Sequence, residues 1–145
     1  MFKHILVPTD GSPLAEAAAI KSIELAVGMG AKITAVAVVP RFHVLTFHAD
    51  LLEATRAECE RAAAEHAERA LAFVRKAAAD RGVACELQQR VSDEIDATIL
   101  EIAHDRGCDV IAMATHGRRA IAGALLGSVT QRVLTHARMP VLVWR

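Results

Sequence analysis

One stretch near the carboxyl end, Val110–Val129, constrains the fold of this chain more than any other. It begins with five consecutive apolar residues, Val110–Ala114, a pattern typical of a parallel strand that is buried on both faces. The apolar run breaks before Gly117, and Gly127-Ser128 follow after nine further residues. The amphipathic segment Val129–His136 then predicts a helix with Ser128 near its N-cap.

The break between this predicted strand and the predicted helix is typical of an anion site. A glycine has no Cβ, so backbone N–H groups can close on a bound anion, and the helix dipole adds favourable potential at the N-terminus. Phosphate is the ligand that such a site would take. Arg118 and Arg119 lie in the same loop, where they either add positive charge to the site or are solvated surface residues.

Length and charge limit the class of protein. At 145 residues the chain suits one domain, residues 1–145, with no internal repeat or low-complexity linker to divide it. Seventeen basic and seventeen acidic residues cancel, so no global field favours nucleic acid or an anionic membrane. Although 53% of the residues are hydrophobic, no apolar run approaches the roughly 20 residues of a membrane span. We therefore expect a cytoplasmic protein that binds neither nucleic acid nor membrane.

The three cysteines, Cys59, Cys85 and Cys108, are odd in number and show no C-x-x-C spacing. This pattern favours structural thiols over a disulfide framework, a zinc site or a redox role. Aromatic residues make up only 3% of the chain and include no tyrosine. The stacking platforms of single-strand nucleic-acid binding proteins are therefore lacking.

Strand and helix patterns alternate along the rest of the chain. A β-branched run, Ile5–Val7, ends at Pro8, and a helix follows with Ser12 as its N-cap and with Gly28 and Gly30 as its end. The other predicted elements are a strand at Lys32–Val39, a loop at Arg41–Ala49, a long helix at Asp50–Arg81, a strand near a sheet edge at Val83–Val91, a helix at Ser92–His104 capped by Ser92, and a short strand at Val141–Trp144. This alternation predicts an α/β fold in which right-handed crossovers join parallel strands.

The loop after the fourth predicted strand resembles the nucleotide loop of the universal stress protein family, which reads G-x-x-G, nine residues, then G-S or G-T. Here Gly117 is the second glycine and Gly127-Ser128 lie at the matching distance, while Ala114 replaces the first glycine. Similarity at the start, His4–Ser12, and at the end, Arg138–Trp144, extends the resemblance over nearly the whole chain.

The resemblance implies a single-domain three-layer α/β/α sandwich, Rossmann-like, with a five-stranded parallel sheet of order 3-2-1-4-5. That order places a topological switch point between the first and fourth strands, and ligands in such sheets bind outside the strand C-termini at this point. Asp10 follows the first strand and Gly117 follows the fourth. Both would therefore line one site.

The resemblance also implies an ATP-binding stress-response module and names its contacts. Each contact has a structural alternative: a turn role for Asp10 and the glycines, a helix cap for Ser128, and core packing for Met113. The expected contacts are Pro8, Thr9, Asp10, Val38 through its backbone, Met113, Ala114, Gly117, Gly127, Ser128 and Val129.

Two neighbouring residues need separate interpretation. Ala114 is compatible with binding if it ends a strand, because its methyl group is harmful only where φ is positive or the backbone must touch the ligand. We interpret His116 as a hydrogen-bonded structural residue rather than as a general base or metal ligand.

The loop predicts binding more than catalysis. The pattern G-x-x-x-x-G-K-[ST] is absent, so no lysine is fixed on the terminal phosphates, and slow ATP hydrolysis is the most we expect. Mg²⁺ or Mn²⁺ would be carried by the phosphates and completed by water. The alternatives are a non-catalytic dimeric interaction module with weak or no nucleotide binding, and a redox or metal sensor.

The final strand predicts self-association. Val141–Trp144 contains no proline or charge, and such an edge strand invites pairing with another chain. In the family that the chain resembles, this strand pairs with its antiparallel copy across a two-fold axis. The resemblance therefore implies a homodimer, with Trp144 covering apolar surface near the interface.

Overall fold

A computed structural model of the chain describes residues 1–42, 49–118 and 122–145, with the backbone alone for residues 49–54. Most of the predicted loop at Arg41–Ala49, including His43 and His48, lies outside the described residues, as does Arg119. The strands are β1 (His4–Pro8), β2 (Lys32–Val39), β3 (Cys85–Val91), β4 (Val110–Ala114) and β5 (Val141–Trp144). The helices are α1 (Pro13–Met29), α2 (Ala49–Asp80), α3 (Ile95–Asp105) and α4 (Ser128–His136).

The five strands form one parallel sheet of order β3-β2-β1-β4-β5, which confirms the predicted topology. All five residues of β4 are buried, as the unbroken apolar run predicts. β3 lies at the sheet edge, also as predicted. The Rossmann-like fold is therefore the one that the sequence indicates.

Apolar side chains cover both faces of the sheet and make three layers. On one face, residues of α1 and α2 such as Ile23 and Val74 pack against Ile5 and Val110. On the other face, residues of α3 and α4 pack against the alternate positions of the same strands. Burying side chains of this size stabilises the fold by about 1.5 to 3 kcal/mol each relative to leaving them exposed.

The start of α1 matches its sequence signal. Ser12 accepts a hydrogen bond from the Ala15 N–H at 3.2 Å, and Pro13 occupies the first helical position. The helix includes Gly28 and ends at Met29, so that Gly30 alone is the C-cap, with a left-handed φ of 63°.

Other boundaries differ from the prediction. α3 begins at Ile95 rather than Ser92, because the Ser92 hydroxyl accepts from the Glu94 N–H in a local turn and Glu94 becomes the N-cap. β3 begins at Cys85 rather than Val83, because the Val83 N–H still bonds to the carbonyl of Ala78 at the end of α2.

The sheet opens between β1 and β4. Their register runs only from Ile5–Val110 to Leu6–Ile111, whereas β1 stays paired with β2 as far as Pro8–Val36. β4 stays paired with β5 as far as Ala114. The carboxyl ends of β1 and β4 are therefore held by different neighbours, and the crevice lies between them. None of the helices within the described ranges is long and apolar enough to cross a membrane.

Candidate functional site

Asp10 joins the two loops at the mouth of the crevice. Its Oδ1 accepts a hydrogen bond from the Ser12 N–H at 2.9 Å, which closes a turn after β1. Its Oδ2 accepts from the Arg118 N–H at 2.6 Å, across the crevice in the loop after β4. The structure thus brings Asp10 and the Gly117 loop together, as the switch point predicts.

Gly117 is favoured by this contact. A Cβ at position 117 would collide with Oδ2 of Asp10. Apart from the two chain neighbours of Gly117, no other described residue lies within 4 Å of that position. Glycine therefore lets the backbone after β4 approach the Asp10 carboxylate.

Gly127 is favoured by a different contact. Its N–H donates to the carbonyl of Thr115 at 2.7 Å, and a Cβ would lie 3.3 Å from that oxygen and from the Cα of His116. Its φ of −69° suits any residue, so close packing rather than backbone conformation favours glycine. Gly127 is also the N-cap of α4, so Ser128 lies next to the cap, as predicted, but the alternative role of Ser128 as the cap itself is wrong.

The N-terminus of α4 points backbone donors toward the loop. The first bond inside the helix runs from the Gln131 N–H to the Gly127 carbonyl. The N–H groups of Ser128, Val129 and Thr130 therefore have no acceptor within the helix. The buried Thr130 hydroxyl donates to the carbonyl of Ala114 at 3.0 Å, which fixes the start of α4 against the end of β4.

Ala114 and Met113 are integral parts of β4. Ala114 is its last residue, and no described residue other than glycine has a positive φ. Alanine therefore fits the backbone at the position where the family loop has its first glycine. Met113 is buried in the core beneath α3 and α4, which agrees with the structural alternative.

The remaining expected contacts lie at the ends of β1 and β2. Pro8 ends β1, and the N–H of the buried Thr9 donates to the carbonyl of Val36 at 2.8 Å. Alternate residues of a parallel strand face the same neighbour, so the peptide groups of Val38 face the space beyond the end of β1. That space is the β2 side of the crevice.

His116 lacks the hydrogen bond that we expected. Its Nε2 is buried and has no partner among the described residues. The imidazole Cδ2 lies 3.7 Å from the Cβ position of Gly127, so the ring sits beside the start of α4. A buried polar atom without a partner is unusual and often marks a place where a ligand or water binds.

His66 on α2 is a site residue that the sequence analysis missed. Its Nε2 lies 2.7 Å from the carbonyl oxygen of Asp10. The sequence does contain a signal for this role, because His66 lies one helical turn before Ala70 and two turns before Val74, on the apolar stripe of the helix. Both of those residues are buried.

The shifted pKa values belong to residues far from the crevice. Burial raises the pKa of the Cys108 thiol to about 11 and raises the pKa of Cys85, which keeps both thiols protonated and supports structural roles. Cys59 is exposed. Within the described ranges, no group of three or more His, Cys, Asp or Glu residues is arranged to hold a metal ion.

Comparisons with known proteins find one family over the whole chain. The family model described as "Universal stress protein family" matches residues 1–145. Universal stress protein MJ0531 of Methanocaldococcus jannaschii is 33% identical over 144 residues, which cover 99% of this chain and 82% of that protein.

Solved structures share the fold over nearly the whole chain. Hypothetical protein MJ0577 of M. jannaschii superposes with a TM-score of 0.80 at 29% identity, covering 99% of this chain and 95% of its own. Universal stress protein UspA from Lactobacillus plantarum also gives 0.80, at 28% identity, covering 99% and 98%.

Two more distant structures contain adenine nucleotides. One is a universal stress protein in complex with cAMP, with a TM-score of 0.70 at 24% identity and coverage of 99% and 97%. The other is the Archaeoglobus fulgidus universal stress protein in complex with dAMP, with 0.61 at 20% identity and coverage of 100% and 98%. Because the family model spans the whole chain and a relative is 33% identical over nearly all of it, this chain belongs to the universal stress protein family.

Proposed function

We propose that this protein binds an adenine nucleotide, with ATP as the expected ligand, in the crevice between β1 and β4. The observation that carries the proposal is the contact between the Asp10 carboxylate and the loop after β4. That loop precedes the N-terminus of α4, whose first N–H groups have no acceptor within the helix. The cAMP and dAMP complexes support it only as examples of the same fold, since both proteins are less than 25% identical to this chain.

The base would bind at the β2 side of the crevice. The N–H and C=O groups of Val38 face the space beyond β1, where they match the acceptor and donor on the edge of an adenine ring. Pro8 and Thr9 form the adjacent wall at the end of β1. Asp10, which lies between this wall and the β4 loop, would contact the ribose.

The phosphates would bind at the start of α4. The N–H groups of Ser128 and Val129 supply donors, and the helix dipole adds favourable potential for an anion. Gly117 leaves the loop backbone open to a close ligand, and the Arg118 side chain is exposed where it could add positive charge. The unpartnered Nε2 of His116 lies beside the same helix start.

Binding, rather than rapid catalysis, fits these residues. The Asp10 carboxylate is already bonded to two backbone N–H groups, which leaves it poorly suited to activate a water molecule. Mg²⁺ or Mn²⁺ would arrive with the phosphates and keep most of its water ligands. We therefore propose a regulatory module in which nucleotide occupancy is the signal, with slow hydrolysis at most. The stress-response role and the cytoplasmic location stay predictions from the sequence.

A homodimer through β5 is the second part of the proposal. The carbonyls of Pro140 and Trp144 accept bonds from β4, so the peptide groups of Val141 and Val143 face away from the sheet. Those groups can pair with an antiparallel copy of the same strand. The same edge supports the alternative function, a dimeric interaction module that does not depend on nucleotide.

Gly117→Ala tests the nucleotide site, because the new methyl group would push the Asp10 carboxylate away from the Arg118 N–H. We expect ATP affinity to fall by about tenfold or more in calorimetric titration. Gly28→Ala is the matched control, since a Cβ at that position meets nothing within 4 Å. If a folded Gly117→Ala protein binds ATP as tightly as the control, the nucleotide does not use this loop.

A further inference from the structure

The hydrogen bond between His66 and Asp10 joins the outer helix α2 to the crevice. The atoms concerned are Nε2 of His66 and the backbone oxygen of Asp10, 2.7 Å apart, in residues 56 positions apart in the chain. A carbonyl oxygen only accepts hydrogen bonds, so Nε2 must carry the hydrogen. The bond therefore assigns the tautomer of His66.

The same turn of α2 packs closely against Gly11, the residue after Asp10. Gly11 has a φ of 77°, and a Cβ there would lie 2.9 Å from Nε2 of His66 and 3.2 Å from the Cβ of Ala70. No side chain fits between the helix and this turn. The Asp10–Gly11 peptide is thus held directly against α2.

Asp10 is consequently held both at its backbone carbonyl and at its side-chain carboxylate. Its peptide oxygen is bound by α2, while its carboxylate binds the N–H groups of Ser12 and Arg118. The N–H of the same peptide donates to Oγ1 of Thr9 at 3.2 Å. A shift of the whole turn away from α2 would carry the Cα of Asp10, and with it the carboxylate, away from the Arg118 N–H. The bond to His66 is therefore a restraint on the position of the carboxylate.

The packing of α2 does not need this bond. The helix is anchored in the core by buried residues that follow His66, namely Ala67, Leu71, Val74 and Ala78. His66 itself is only partly buried. Loss of its imidazole should leave the core intact and free the Asp10 turn.

We propose that His66 is a positioning residue for the nucleotide site and couples occupancy of that site to α2. The proposal rests on the proposed function, since His66 would act on the nucleotide through Asp10, a residue of the same site. Coupling between two positions is reciprocal, so a nucleotide that orders Asp10 must also strengthen the attachment of α2 at this turn.

The test compares His66→Leu, which removes the donor, with His66→Gln, whose amide nitrogen can take the place of Nε2. His104→Gln is the matched control, because His104 is exposed at the end of α3. Two quantities are measured: the affinity for ATP by calorimetry, and the exchange rates of the Ser12 and Arg118 amide hydrogens by NMR without nucleotide. A thermal melt reports the stability of each variant.

We expect His66→Leu to bind ATP about tenfold more weakly and to exchange both amides about tenfold faster, the size of effect that one lost hydrogen bond gives. His66→Gln should restore both values, and His104→Gln should change neither. If His66→Leu does not fold, His66→Asn replaces it, since its shorter amide cannot reach the Asp10 carbonyl.

Unchanged amide exchange and unchanged ATP affinity in a folded His66→Leu or His66→Asn protein would overturn the proposal. A wild-type protein that binds no adenine nucleotide would instead contradict the proposed function. In that case amide exchange at Ser12 and Arg118 alone decides whether His66 positions the turn, because that readout needs no ligand.

Discussion

At the residue scale, Asp10 combines two roles that the sequence presents as alternatives. Its Oδ1 closes the turn with the Ser12 N–H, and its Oδ2 crosses the crevice to the Arg118 N–H. The turn role follows from local sequence. The third contact, from His66, could not be predicted, because it depends on how a helix 56 residues away docks on the turn.

Two serines interpreted as helix caps, Ser92 by prediction and Ser128 as its structural alternative, are not the capping residues, for a common reason. The presence of serine near a boundary indicates a cap, but the cap itself is the residue with non-helical backbone next to the first helical residue. At α4 that residue is Gly127, with ψ of 158°, and at α3 it is Glu94. The preference of serine for the N-cap position was not enough to predict that Gly127 and Glu94, rather than Ser128 and Ser92, are the caps.

His4 gives a prediction about stability and pH. It is buried, its Nε2 lies 2.7 Å from Oγ1 of Thr34, and burial followed by the charge of Lys32 lowers its pKa below 6.5, despite the opposing charges of Glu86 and Asp109. Below pH 6.5 the unfolded chain therefore takes up a proton that the folded protein resists. The free energy of unfolding should fall as the pH falls through this range.

Urea denaturation of wild type and His4→Gln at about pH 7.5 and about pH 5.5 measures this effect. Between the two conditions, the free energy of unfolding should fall more in wild type than in the variant. Glutamine does not titrate but can still bond to Thr34. Equal losses in the two proteins would show that His4 is not the titrating group.

At the element scale, the strands and helices could be predicted because their signals are local. β2, β4 and β5 have the predicted bounds, and the boundaries of the other elements shift by up to a few residues. The order of the strands is not local, and the family resemblance supplied it. The Nε1–H of Trp144 donates to Ser22 at 2.9 Å, a contact within the chain that the sequence did not predict.

Val143→Pro tests the proposed dimer without disturbing the β4–β5 pairing. The N–H of Val143 faces away from β4, so proline removes a donor that only a partner strand would use. We expect a monomer by light scattering, whereas Val143→Ala, which keeps the N–H, should remain a dimer. A dimeric Val143→Pro protein would place the contact on another face.

At the scale of the whole molecule, the site exists because the order in which strands are added to the sheet reverses between β1 and β4. At their carboxyl ends, β1 is paired with β2 and β4 is paired with β5, but β1 and β4 are not paired with each other. The Asp10 turn after β1 and the Gly117 loop after β4 therefore face each other across the crevice. This meeting could be predicted from topology once the strand order was known. The contribution of α2 could not, because helix patterns predict which face is buried but not what it touches.

The most direct test of the central claim is a calorimetric titration of nucleotide-free wild type and Ala114→Gly with ATP. Because Ala114 ends β4 and no described non-glycine residue has a positive φ, the account predicts that both proteins bind ATP. Their affinities should agree to about threefold, less than 1 kcal/mol. A wild type that binds no ATP beside a glycine variant that binds it well would contradict the account and make Ala114 the cause of a lost nucleotide site.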